Sequence, residues 1–130
     1  MRLTMRLQED SYDIIISRGA LSRLGKVANL MNRKVLVVTD DGVPKAYADT
    51  VLEQCSDGVC LVLPQGEASK NLSNLEKVLS KLLSEGFTRR DVVVAVGGGV
   101  VGDLAGFAAA CYMRGIAFIN CPTTTLSQID

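Results

Sequence analysis

The 130-residue sequence carries 14 Lys and Arg against 14 Asp and Glu, and it has no histidine. That length suits one domain with a buried core, and without histidine these residues alone build neither a Ser-His-Asp triad nor a histidine-bearing zinc site. Zero net charge and a pI near 6.2 argue against a nucleic-acid binder, which would show a basic excess.

Hydrophobic residues make up 48% of the chain and aromatics only 5%, so the apolar mass is Val, Leu, Ile and Ala, as in buried parallel strands and their covering helices. Charges at Arg2, Arg6, Glu9 and Asp10 interrupt any signal-peptide pattern, and no stretch is long and apolar enough to span a membrane. A cytoplasmic protein is expected. The four cysteines, Cys55, Cys60, Cys111 and Cys121, show no C-x-x-C spacing and read as separate buried thiols of a reducing compartment.

In chain order, Met1–Leu7 and Tyr12–Ser17 are two β-prone runs around a polar turn, which predicts an N-terminal β-hairpin. Leu21, Leu24, Val27, Ala28 and Met31 have helical spacing, which predicts one helix over Gly19–Asn32. Lys34–Thr39 reads as a strand buried on both faces and ends at Asp40-Asp41-Gly42. A helix over Val43–Gln54 follows, with Pro44 in its first turn, then a strand over Val59–Leu63 and a loop from Pro64 to Lys70.

Asn71–Glu85 is the clearest helix, with an apolar face of Leu72, Leu75, Val78, Leu79, Leu82 and Leu83. Ser73 and Glu76 have capping-box spacing, and Gly86 supplies the stop. Asp91–Val96 is another buried strand, running into Gly97-Gly98-Gly99. A small-residue helix follows over Val100–Met113, then a strand over Ile116–Asn120 that ends at Cys121-Pro122-Thr123-Thr124. The alternation predicts an α/β fold, a mostly parallel sheet with helices on both faces, Rossmann-like, with the hairpin added.

Ligands of such sheets bind beyond the carboxyl ends of the strands. Here those ends are Asp40–Gly42, Pro64–Lys70, Gly97–Asp103 and Pro122–Thr125, and all four can line one crevice. Gly97-Gly98-Gly99-Val100-Val101-Gly102 has G-x-G-x-x-G spacing between a strand and a helix. Glycines there let the backbone approach a pyrophosphate, with the helix amides pointing at it; the alternative is a turn that merely lets helix and sheet pack tightly.

The motif departs from an ordinary dinucleotide fingerprint, because it follows a late strand and the next strand ends without an acid. Asp40 is the best candidate for a ribose carboxylate, and equally a helix N-cap. Asp103 could cap its helix or bond a ligand hydroxyl or amide. Glu67 and Lys70 could hold an adenosine hydroxyl and a phosphate, or form a weak surface pair. Thr123 and Thr124 could bind a cofactor or cap the last helix. Arg114 could clamp a carboxylate or phosphate, or compensate a helix C-terminus.

The strings GEASKNL and GFTRRDVVVAVGGGVVGDLAGFAAACYMRGIAFINCPTTTLSQID resemble the 3-dehydroquinate synthase family, densely from Pro64 to Asp130 and more loosely before it. The wider superfamily of glycerol dehydrogenase, iron-type alcohol dehydrogenases and sugar-phosphate cyclases shares the GGG and D elements but not the whole run. The resemblance implies NAD and a divalent metal, zinc or cobalt. It also implies conversion of 3-deoxy-D-arabino-heptulosonate 7-phosphate to 3-dehydroquinate and phosphate, through transient oxidation, phosphate elimination, reduction, ring opening and aldol closure.

Carried over by motif, Asp40, the Gln65-Gly66-Glu67-Lys70 loop, Gly98, Gly99, Val100, Val101, Gly102, Asp103, Thr123 and Thr124 are implied NAD contacts. Arg114 and Asp130 are implied substrate-side residues. Thr125 departs from the family, which more often has leucine there.

The family continues with a lysine-bearing segment and a helical domain that supplies a glutamate and two histidines to the metal. The chain is therefore expected to be the NAD-binding half, inactive alone, with a phosphorylated sugar acid as substrate, the C-terminal domain as partner, a homodimer as a possible state, and no membrane. A domain of a related cyclase or glycerol dehydrogenase-like enzyme, or a stand-alone nucleotide-binding module, are the alternatives.

Overall fold

The computed structural model describes residues 2–6, 11–15, 22 and 24–123. Four strands run parallel in the order β6-β5-β3-β4: β3 (Lys34–Asp40), β4 (Asp57–Leu63), β5 (Val92–Gly97) and β6 (Ala117–Pro122). Outside β6 lie β1 (Arg2–Arg6) and β2 (Ser11–Ile15), with Met5 opposite Ile119 and Arg2 opposite Ile15; the segment joining them lies outside the described residues. The helices are α1 (Leu24–Ala28), α2 (Lys45–Leu52), α3 (Leu72–Ser84) and α4 (Gly99–Cys111). This is the expected parallel sheet with a helical layer on each face. Among the described residues no helix is long and apolar enough to cross a membrane.

Period-two alternation sorts the strand side chains between the layers. Val35, Val37, Val92, Val94, Val96 and Ile119 meet Leu24, Leu30, Tyr47 and Val51 on one face. Leu36, Val38, Val93 and Ala95 meet Val78 and Leu82 of α3 and Val101, Leu104, Ala105 and Ala108 of α4 on the other. Every residue of β5 is buried, which is why its sequence is a continuous apolar run.

The single helix expected over Gly19–Asn32 is corrected within the described residues. α1 ends at Ala28, Asn29 takes a left-handed φ of 58°, and a 3-10 turn covers Leu30–Asn32. Asn tolerates that conformation, and Asn32 Nδ2 donates to its side chain. Met31, expected on the buried face, is exposed.

α3 is also corrected at its start. Its N-cap is Asn71, whose side chain accepts from the Asn74 amide at 2.9 Å, so Ser73 lies inside the helix and forms no capping box. Leu72 and Leu83, expected on the apolar face, are 81% and 73% exposed, while Asn74 is buried in their stead and donates to Ser69 O. Gly86 ends the helix as expected: its φ is 72°, and the bonds Phe87 N to Leu82 O and Gly86 N to Leu83 O close a Schellman motif.

All four cysteines are free, but only Cys121 is buried; Cys55 and Cys60 are half-buried and Cys111 is exposed. Burial pushes the Cys121 thiol up to about 12.

Candidate functional site

The strand registers bring the four carboxyl ends level. Asp40 lies opposite Leu63, Thr39 opposite Val96, and Gly97 opposite Pro122. Thr39, which sequence reasoning passed over, is buried, and its hydroxyl donates to Val96 O at 2.6 Å. It ties the ends of β3 and β5 together directly beneath the edge.

At the end of β3, Asp40 Oδ1 accepts from Gly42 N at 2.9 Å. The helix behind it begins with Pro44 as N-cap, so Asp40 orders its own turn and does not cap α2. Asp41, also overlooked as a site residue, accepts from Gln65 N at 3.0 Å, while its own amide donates to Leu63 O. A Cβ on Gly42 would overlap Gln65 Oε1. The Asp-Gly turn after β3 was a visible signal; its grip on the loop after β4 was not.

That loop turns at Gly66, whose φ of 103° favours glycine, and continues through a 3-10 turn over Glu67–Ser69. Lys70 reaches Asp103 of α4, Nζ to Oδ2, at 2.8 Å. The alternative pairing of Lys70 with Glu67 is thus not the one adopted. The hydrogen bond and charge of Asp103 raise the Lys70 ammonium above its ordinary value. Asp103 sits in the second turn of α4 and is no cap, since Gly98 holds that position.

The glycine turn serves two purposes at once. A Cβ on Gly97 would stand 2.9 Å from Val101 Cβ, and one on Gly102 would stand 2.9 Å from Asn120 Oδ1; both glycines allow α4 to lie close on the sheet. Around Gly98 and Gly99 a Cβ would meet nothing within 4 Å. The first helical bond is Gly102 N to Gly98 O, and no side chain caps the helix. The amides of Gly99, Val100 and Val101 therefore precede the helical ladder, beside that free space. Val101 offers only its amide, because its side chain is buried in the core.

Thr123 lies at the same edge and is buried; Thr124 and Asp130 lie outside the described residues. Arg114 is set apart from the others. It follows α4, at the end of the sheet opposite Gly98, about 20 Å away by helix rise. There Met113, Arg114 and Gly115 have φ of 47°, 67° and 117°, and Tyr112 OH donates to Phe87 O. Among the described residues, no three His, Cys, Asp or Glu side chains are placed to hold a metal ion.

A parallel α/β sheet with glycine-opened helix amides at the level ends of its strands defines a domain of the nucleotide-binding type. Residues 60–130, more than half of the chain, match the family described as 3-dehydroquinate synthase N-terminal, and the chain belongs to that family. It is 45% identical to the 3-dehydroquinate synthase of Streptococcus suis over all of this chain and 38% of that protein. It therefore spans well under half the length of such relatives.

A structure of 2-deoxy-scyllo-inosose synthase complexed with carbaglucose-6-phosphate, NAD+ and Co2+ is 26% identical, with a TM-score of 0.79 over 95% of this chain and 35% of that one. The 2-epi-5-epi-valiolone synthase of Streptomyces hygroscopicus, with NAD+ and Zn2+ bound, is 27% identical, with a TM-score of 0.72 over 95% of this chain and 36% of that one.

Proposed function

We propose that residues 1–130 form the NAD-binding domain, with its N-terminal hairpin, of a cytoplasmic 3-dehydroquinate synthase. The whole protein would convert 3-deoxy-D-arabino-heptulosonate 7-phosphate to 3-dehydroquinate and phosphate. The observation that carries this reading is the open space over Gly98 and Gly99 at the uncapped start of α4, which fits a dinucleotide pyrophosphate. The 45% identity to a 3-dehydroquinate synthase favours that substrate over those of the cyclases, whose identities are 26% and 27%.

NAD, when bound, supplies a hydride acceptor. The chain's own contribution is to bind and orient it. The amides of Gly99, Val100 and Val101 would take the pyrophosphate; Asp40 and Glu67 would accept from ribose hydroxyls; Lys70 would offset the anionic charge beside Asp103; Thr123 and Thr124 would add hydroxyl contacts, with Gln65, Gly66 and Gly102 shaping the walls. Arg114 and Asp130 would serve the substrate from outside this cluster. The chain has no histidine, and the described residues bring no three His, Cys, Asp or Glu side chains together; a zinc or cobalt ion would take its ligands from a C-terminal domain.

Two measurements test the reading. NAD is expected to raise the melting temperature of the 130-residue chain, as any ligand of the native state does, while nicotinamide riboside, which lacks the pyrophosphate, should not. These residues with NAD and Co2+ should release no phosphate from the sugar substrate. Equal shifts from both ligands, or phosphate release, would contradict the proposal.

A further inference from the structure

Three consecutive residues after α4 take positive φ: Met113 at 47°, Arg114 at 67° and Gly115 at 117°. Gly115 N donates to Tyr112 O at 2.7 Å. Tyr112–Gly115 is therefore a closed four-residue turn with positive φ at both central positions, the mirror-image kind. Glycine, asparagine and aspartate dominate those positions, because a larger side chain crowds the following carbonyl there. This turn carries methionine and arginine instead, and both are exposed. Among the described residues the other left-handed non-glycine is Asn29, a residue type that tolerates the conformation. A strained pair such as Met113-Arg114 persists only where its surroundings over-determine it, and such strain gathers at ligand sites.

The restraint comes from Tyr112. Its ring is buried in the core cluster that also holds Leu82 and Phe87. Its hydroxyl donates to Phe87 O at 2.8 Å, with Leu82 O at 3.3 Å. Leu82 O already accepts from Phe87 N, so the end of α3 is closed without the phenol. A phenylalanine would fill the same core volume. The hydroxyl is thus surplus to the helix stop and to packing, and what it adds is a tie between α3 and the turn. Tyr112 grips that turn twice, through its side chain to the end of α3 and through its own carbonyl to Gly115. The bond from Ile116 N to Ala109 O, 2.9 Å, fixes the exit.

We propose that Tyr112 is a positioning residue for Arg114: its phenol, seated on the end of α3, holds the Met113-Arg114 turn in the left-handed form from which the guanidinium meets an anionic group of the substrate. The proposal rests on the reading of Arg114 as a substrate-side residue.

Steady-state kinetics of the whole protein test it. Tyr112→Phe keeps the ring in the core and removes the donor. It should lower kcat/KM for the sugar phosphate about tenfold or more and leave NAD affinity unchanged, since the turn is remote from Gly98. Met113→Val leaves the core intact and sets a β-branched residue at an exposed left-handed position, which opposes the same conformation; it should reproduce the loss. Two combinations separate positioning from a merely structural role. In an Arg114→Ala background, Tyr112→Phe should take nothing further from kcat/KM, because residues that act through one another are not additive. Met113→Asn, which tolerates positive φ, should return part of the activity lost in Tyr112→Phe. Unchanged kcat/KM in Tyr112→Phe or in Met113→Val, a loss that multiplies with that of Arg114→Ala, or no return with Met113→Asn overturns the proposal. Arg114→Ala with unchanged kcat/KM removes the substrate-side reading itself, and the proposal with it, an outcome distinct from the others.

Discussion

At Gly98 the demands of folding and of ligand binding separate. Its backbone is extended, with φ −82° and ψ −164°, a conformation open to other residues, and a Cβ there meets no protein atom. Gly98→Ala should therefore change stability by no more than about 0.5 kcal/mol in a thermal melt. The methyl enters the space assigned to phosphate, so NAD affinity should fall about tenfold or more, a cost of about 1.4 kcal/mol or more. Unchanged affinity would remove Gly98 from the site. Gly102 is the contrasting case, since its Cβ would press on Asn120 Oδ1, a buried acceptor with no hydrogen-bond partner among the described residues.

Lys70 carries the pH dependence of the edge. Its folded pKa is raised by the hydrogen bond to Asp103, so the stabilisation is complete below its ordinary value of 10.5 and is lost as pH rises through the folded value. The pair is exposed and its contribution small, so the sensitive readout is the titration of Lys70 by NMR. The midpoint should fall in Asp103→Asn; identical midpoints would mean the pair does not persist in solution. Lys70 and Asp103 are 33 positions apart, and nothing in local spacing foretold their contact.

At the scale of the elements, strands β3 and β5 were legible because burial on both faces forces continuous apolar runs, KVLVV and VVVAV. Helix ends were less so. Ser73 and Glu76 have the spacing of a capping box, yet Asn71 lies two residues earlier and competes for the same role with an equally good side chain. Asn71→Ala should cost about 1 kcal/mol by denaturant melt, and Ser73→Ala close to nothing; the reverse order would restore the capping box. α1 failed as a long helix because Asn29, unremarkable in a periodic pattern, adopts a left-handed φ. The exposure of Leu72 and Leu83 likewise followed from the placement of α3 against α4, which periodicity does not encode.

For the whole molecule, the sequence order of strand ends was enough to predict that Asp40, Lys70, Gly98 and Thr123 share an edge, because parallel strands all present their carboxyl ends to one side. The same logic, followed through α4, sends Arg114 to the other side, away from the motif beside which the sequence lists it. The central proposal is a nucleotide site on the glycine edge. Titration calorimetry of the 130-residue chain with NAD tests it most directly. Saturable one-to-one heat that is lost or strongly reduced in Gly98→Ala is the result expected; no heat at millimolar NAD, or identical isotherms for the two proteins, would contradict it.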